Sequence, residues 1–325
     1  MQAVAARILD VGEEESLLLL AGSGVYRVFP GKEECEALFV AAEGKEWSGV
    51  AAASAGGRFL ALCDTTKLLH LYERSEGSLA YHAKTPMLLA KTATALQFIG
   101  ERYLLVADKF GDVLRFDVSG GESEFERWAK QSHENRSALS IHKAKRAKPQ
   151  APSEEPKGDD ADEADEGDEA GPDADSPDEA HHCTIIGHIS MITDMAVLSR
   201  DESSLSPLIL TADRDEKIRL TPNQDPTRIA AFALLHRQYV ASVAAASKGA
   251  RFFSAGGDEF IVSWQVASEG EDTVTVTGDK IPLPEGVEAV RTLLVADAEG
   301  TALWALSDSL QTDHSPAKLI KYEKT

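Results

Sequence analysis

An all-β fold assembled from repeated small sheets is what this sequence predicts, and three observations carry that expectation. A phrase of apolar strand, tight polar turn and second apolar strand recurs from one end of the chain to the other. The runs are short and return at a spacing of ~40–45 residues, the repeat length of four-stranded propeller blades. Runs of useful length with helical periodicity are absent, so nothing competes with the strand reading.

Six such pairs are legible in order. They are Leu17–Leu20 with Val25–Phe29, Phe59–Leu62 with Leu68–Tyr72, and Tyr103–Val106 with Val113–Phe116. Then come Leu208–Leu210 with Ile218–Leu220, Arg251–Phe253 with Phe260–Trp264, and Ala302–Leu306 with Leu319–Tyr322. A further strand-like run precedes most pairs, as at Gly49–Ser54, and a fourth follows several, as at Ile229–Leu234. His188 and His236, twenty-odd residues ahead of Asp215 and Asp258, resemble the His and Asp of WD repeats, and Trp264 sits where the repeat's Trp belongs. The chain 1–325 therefore reads as a single WD-repeat β-propeller with a degenerate repeat.

One stretch does not belong to the blades. From 131 to 180 the composition turns basic at Lys143–Lys148, then rich in Pro, Gly, Ala, Asp and Glu. Low hydrophobicity with dense like charge cannot offset the entropy of ordering, so this is expected to be a disordered insertion between the third and fourth blades. Ser153–Glu179 holds fourteen Asp/Glu and one Lys, a net of −13 out of the chain's −21. The −8 left for the rest is ordinary for an acidic domain. Such a surface gains nothing from counterion release at phosphates, so any RNA contact is local or belongs to a partner.

Cys35, Cys63 and Cys183 are scattered without CxxC spacing, as in a reduced intracellular protein. The apolar Leu17–Leu20 follows three glutamates and is too short for a secretion signal, and no window reaches the ~20 apolar residues of a membrane span. The expected location is cytosolic or nuclear. The Lys143–Lys148 run is either a nuclear-import patch, which places the protein in the nucleus, or the basic flank of an acidic loop.

Catalytic motifs are missing from the sequence. Gly22-Ser23-Gly24 follows a strand but opens no helix, Gly256-Gly257 sits in a turn, and no Walker sequence, GxSxG elbow or HExxH occurs. No catalytic, cofactor-binding or metal-ligating residue is assigned. His181, His182, Cys183 and His188 are the one metal-like cluster, but three are adjacent, whereas zinc takes about four spaced N/S ligands. The plainer reading makes His188 the blade's structural histidine.

The most informative segment is Leu208–Leu220. An apolar strand runs into four consecutive charges, Asp213–Glu216, and then a strand alternates Lys217 and Arg219 with Ile218 and Leu220. Alternation puts both cations on one face. An inner blade strand is covered on both sides and unpaired cations are expensive there. Lys217 and Arg219 therefore either reach neighbouring aspartates, with Asp215 as the turn-capping residue, or reach the propeller rim and meet something else.

Two phrases add a resemblance. Leu104–Val113, with ADKFGDV, and Gly187–Asp194 followed by Ile209–Arg219, with TADRDEKIR, are similar to consecutive blocks of the WD-repeat, non-catalytic subunit of the eukaryotic tRNA (guanine-N7-)-methyltransferase. A variable insertion separates the two blocks in both, and Phe253–Asp258 with Trp264 fits the next blade. The resemblance implies seven blades and a heterodimer with a separate S-adenosylmethionine-dependent subunit that methylates N7 of a guanosine in the tRNA variable loop. It implies that Asp215, Lys217 and Arg219 meet that subunit, and that tRNA is bound mainly through it. The chain departs from the pattern after Trp264, where Ser268–Pro284 is too short for a further blade. The reading is thus a scaffold and not an enzyme, set against a general nuclear WD-repeat adaptor presenting ubiquitin-ligase substrates or binding chromatin proteins.

Overall fold

The computed structural model describes residues 7–10, 17–21, 23–28, 35–40, 46–74, 81–132, 184–200, 206–268, 273–295, 297–307 and 319–323. Within them the chain forms antiparallel sheets in sequence order. The first holds β1 (Arg7–Asp10), β2 (Leu17–Ala21), β3 (Gly24–Val28) and β4 (Cys35–Val40). The second holds β5 (Trp47–Ala53), β6 (Phe59–Asp64), β7 (Leu68–Arg74) and β8 (Tyr81–Ala83), with the short β9 (Met87–Leu88) also pairing to β7. The third holds β10 (Ala93–Ile99), β11 (Tyr103–Asp108), β12 (Asp112–Asp117) and β13 (Thr184–Gly187). The fourth is β14 (Ile192–Leu198), β15 (Leu208–Asp213), β16 (Ile218–Pro222) and β17 (Ala231–Ala233). The fifth is β18 (Val240–Ala245), β19 (Arg251–Gly256), β20 (Phe260–Ser268) and β21 (Val274–Pro282). The sixth shows three strands, β22 (Val290–Val295), β23 (Ala302–Ser307) and β24 (Leu319–Glu323).

The first strands meet around an axis: β5 touches β10, β10 touches β14, β14 touches β18 and β18 touches β22, while β1 contacts both β5 and β22 and closes the ring. Six sheets are present among the described residues, the number legible in sequence, and not seven. The segment too short for a further blade supplies β21, which pairs along the whole of β20 and completes the fifth sheet.

Second strands are mainly apolar because both their faces are covered; every residue of β6 and of β15 is buried. The core accordingly lies in slabs between neighbouring sheets. Phe59 and Leu69 pack against Leu96 and Phe98 between the second and third, and Leu210 and Leu220 against Phe252 and Trp264 between the fourth and fifth.

One helix was not expected. Residues 124–132, α1, follow the third sheet. Ser123 Oγ accepts from the Glu126 amide at 3.2 Å while the Glu126 carboxylate accepts from the Ser123 amide at 3.3 Å, a capping box. Phe125 and Ala129, four apart on one face, are fully buried, and Phe125 and Trp128 both contact the Phe116 ring edge-on. A single apolar stripe over three turns is too short to stand out as periodicity, so packing decides this element. Gln131 and Ser132, where the insertion was expected to begin, belong to α1; residues 133–183, including Lys143–Lys148 and the acidic run, lie outside the described residues.

Polar groups tie the inner strands across the gaps between sheets. Asp194 on β14 accepts from Ser242 Oγ at 2.8 Å and from the Val243 amide at 3.0 Å, and Ser242 Oγ accepts in turn from the Leu293 amide at 3.1 Å. Asp194 is buried, so replacing it with Ala leaves two donors without their acceptor inside the ring. Asp194→Ala is expected to lower unfolding free energy by about 2–4 kcal/mol, measured by urea denaturation.

Candidate interaction site

The hairpin joining the second and third strands of a blade comes out on the same face of the ring as the connection to the next blade. In three blades this hairpin is built alike. Asp64, Asp108 and Asp213 each end a second strand, and one carboxylate oxygen accepts two amides, from the residues two and four places on. The pairs are Thr66 and Leu68 at 2.8 and 3.0 Å, Phe110 and Asp112 at 2.8 and 3.2 Å, and Asp215 and Lys217 at 2.9 and 3.1 Å. The residue between the two donors is left-handed in each: Lys67, Gly111 and Glu216, with φ of 69°, 96° and 71°. A non-glycine residue held there costs ~1–2 kcal/mol, which the charge-assisted bonds offset.

Blade five carries the network of a regular WD repeat. His236 Nδ1 lies 2.8 Å from Asp258, Ser254 Oγ 2.7 Å from His236 Nε2, and Trp264 Nε1 donates to Ser254 Oγ at 2.7 Å. Asp258 also accepts from the Arg237 and Gln238 amides. Burial pushes the His236 imidazole below its usual value, against the pull of Asp258. A neutral ring donating from Nδ1 and accepting at Nε2 satisfies all three neighbours.

Blade four departs from this. His188 Nε2 meets Thr211 Oγ1 at 2.8 Å, but its Nδ1 faces Asp213 at 3.7 Å, and Asp215 is exposed. The aspartate that caps this turn and faces His188 is therefore Asp213, not Asp215. The cause is local: Asp213 stands where blade five has Gly256, and a carboxylate there reaches both the histidine and the turn amides. Burial works against ionisation of Asp213, and the bonds from His188 and from the Lys217 and Asp215 amides outweigh it, so its pKa lies below the usual carboxylate range.

The three singled-out residues separate in space. Asp215 and Lys217 lie exposed in the hairpin, beside exposed Arg214 and Glu216. Arg219 is only 9% exposed. It does neither of the two things that alternation left open. Its guanidinium donates to Thr221 Oγ1 at 3.0 Å, the Gly187 carbonyl at 3.3 Å and the Pro226 carbonyl at 3.4 Å, so it bridges β13 of the third blade to the fourth. No carboxylate pairs with it among the described residues, and burial lowers its pKa. Thr221 holds the position that Trp264 has in blade five, and the smaller side chain accepts the Arg219 bond instead of filling the gap with a ring.

Sequence reasoning missed the apolar side chains on this face. Phe110, Ile189, Leu234 and Tyr239 are exposed around the blade-four hairpin. Each sits in a turn or connection, where strand periodicity carries no signal.

A closed ring of small antiparallel sheets with a His–Ser–Trp–Asp network defines a WD-repeat β-propeller. Residues 41–314 match the family described as the tRNA methyltransferase TRM82 WD40 domain, and the chain belongs to that family. It is 34% identical over 89 residues to the tRNA (guanine-N(7)-)-methyltransferase non-catalytic subunit TRM82 of Eremothecium gossypii, covering 27% of this chain and 19% of that protein. It is 27% identical over 217 residues to the subunit WDR4 of Homo sapiens, covering 66% of this chain and 37% of that protein. The chain thus spans about a fifth to two fifths of the length of these curated relatives. In fold it is similar to a chain in the crystal structure of the Mitotic Checkpoint Complex, with TM-score 0.51, 12% identity and coverage of 98% and 93% of the two chains.

Two predictions follow from the blade-four geometry and the buried histidine. Asp213→Ala is expected to cost about 2–3 kcal/mol of stability, while Asp215→Ala stays within about 0.5 kcal/mol, both read from denaturant midpoints. For pH, the folded His236 takes up a proton less readily than the unfolded one, so the unfolded chain binds more protons as pH falls. Its contribution is whole above about pH 6.5 and is lost below. Asp64, Asp213 and Asp297, with lowered pKa values, add a second loss below about pH 4. Melting temperatures from pH 8 to 3 are expected to be level, then to decline in these two stages.

Proposed function

We propose that this chain is a non-catalytic scaffolding subunit of a tRNA (guanine-N7-)-methyltransferase, acting as a heterodimer with an S-adenosylmethionine-dependent catalytic subunit. Membership of the TRM82 WD40 family supports this reading. The observation that carries it into the structure is the blade-four hairpin, which departs from the regular repeat by turning Asp215 and Lys217 to solvent and burying Arg219, which has no carboxylate partner among the described residues. Asp215 and Lys217 are the direct contacts. Arg219 presents a positive field behind them and attracts an acidic side chain of the partner at the seam between the third and fourth blades. The effect on catalysis is indirect: the propeller binds the competent state of the catalytic subunit more tightly than other states and raises its population. Guanosine chemistry and most tRNA contact belong to the partner, and the complex works in the nucleus.

The test is reconstitution. The purified chain alone is expected neither to bind S-adenosylmethionine at micromolar levels in calorimetry nor to methylate tRNA, and to raise methylation by the cognate catalytic subunit. Lys217→Glu should weaken association by a factor of ~10 or more at low salt while the chain's own melting temperature holds. Arg219→Glu should lower both, because the guanidinium also ties two blades together. Unchanged affinity for Lys217→Glu would remove the hairpin from the interface.

A further inference from the structure

Three side chains of blade five, Lys280, Phe260 and His236, form a stack that runs from solvent into the sheet. Lys280 Nζ stands 3.9 Å from the centre of the Phe260 ring. That ring lies nearly parallel to the His236 imidazole, with 14° between planes and 5.7 Å between centres. Strand pairing fixes the arrangement. β21 sets Pro282 opposite Phe260 and Lys280 opposite Val262, so the lysine is the diagonal neighbour of the ring on the same face. Lys280 is exposed at one end of the stack, and the His236 side chain is fully buried at the other. The ring face attracts a cation and so holds the ammonium at a fixed place above the imidazole.

The imidazole in turn helps to close the connection between blades four and five. Asp258, which meets its Nδ1 at 2.8 Å, also accepts the Arg237 amide at 3.2 Å and the Gln238 amide at 3.3 Å. A Cβ at Gly256 would lie 1.9 Å from the Tyr239 carbonyl, so the connection rests directly on β19 without slack. Leu234 and Tyr239, both exposed, flank this closure in the chain.

A second proton on the ring does not fit the closed network. Ser254 is fully buried, its Oγ accepts from Trp264 Nε1, and its own proton goes to His236 Nε2. Protonating Nε2 removes that acceptor, and no other faces the hydroxyl among the described residues. Two charged groups act on the imidazole in opposite senses. Asp258 draws a proton to it and Lys280 repels one, while burial works on the side of Lys280. The neighbouring strands β17, β18 and β20 carry no ionisable side chain. Arg251 lies at the far end of β19, Asp279 alternates to the other face of β21, and Arg237 and Glu259 are exposed in the turns.

We infer that the Lys280–Phe260–His236 stack is an acid-triggered latch on the connection between blades four and five. Lys280 denies the closed network a proton, so acid opens the connection instead of charging the ring in place. The closed form binds the proton more weakly than the open one. Closure is therefore at full strength above about pH 6.5 and weakens as pH falls below it. The output is the placing of Leu234 and Tyr239, two of the apolar side chains exposed around the blade-four hairpin.

Side-chain NMR of His236, with amide hydrogen exchange at Arg237 and Gln238, tests this on the full chain at low salt. Wild type is compared with Lys280→Gln and Lys280→Arg, each referred to its own behaviour at about pH 7.5. At about pH 5.5, Lys280→Gln is expected to raise the ratio of protonated to neutral His236 in the folded chain by roughly threefold, the scale of one charge acting across a ring near the surface. The acid-induced loss of amide protection should shrink in the same variant, by up to the same factor. Lys280→Arg keeps the charge and should behave as wild type. Equal protonation of His236 in wild type and Lys280→Gln would overturn the inference, as would a Lys280→Arg variant that behaves like Lys280→Gln. Protection of Arg237 and Gln238 that stays level in the wild type from about pH 7.5 to about pH 5 would also overturn it, since no latch then opens.

Discussion

The inner sheets of this molecule have two apolar faces, and it is chiefly the sheets beside them that cover those faces. The rest of the structure depends on that constraint. Phe59 and Phe98 stack from neighbouring sheets, as Leu210 and Leu220 pack on Phe252 and Trp264. A row of such sheets ends in an uncovered face at each side unless it curves round and closes, and the contacts of β1 with both β5 and β22 close it here. Closure then crowds the inner strands, which carry small residues such as Ala51–Ala53 and Ala244 along the central channel. Two polar side chains of the inner strands, Asp194 and Ser242, bond across to the next sheet.

With burial satisfied between sheets, the hairpin ends of the ring are released from packing duty and are held by hydrogen bonds within the turn and to the neighbouring connection. The aspartate at the end of a second strand meets this need by capping two amides of its own turn. Because the cap is local, the intervening residues are free to vary: Thr65-Thr66 in blade two, Lys109-Phe110 in blade three, Arg214-Asp215 in blade four. That freedom is what lets one face of a repetitive ring become chemically distinct. Blade four goes furthest, giving up the buried aromatic hub of blade five for Thr221 and admitting Arg219 between two blades. A buried cation with no carboxylate partner, as Arg219 is among the described residues, is costly to the isolated chain. Under the proposed function, a partner's acidic side chain offsets that cost.

The sequence by itself determined the class of fold, the order of the blades and the place of the special hairpin. Strand pairs at a regular spacing are a local signal, and apolar runs such as Leu208–Leu210 state that both faces are covered. His236, Asp258 and Trp264 were legible for the same reason, since their partners lie at fixed offsets within one repeat. The tertiary structure decided whatever depends on a neighbour outside the repeat. It moved the capping role from Asp215 to Asp213, because reach to His188 is a matter of distance and not of alignment. It buried Arg219 against Gly187, a residue of another blade, and made α1 a helix by packing Phe125 on Phe116. It also brought Phe110, Ile189, Leu234 and Tyr239 onto one surface. They come from three separate connections, and the packing of successive blades brings them to one face of the ring.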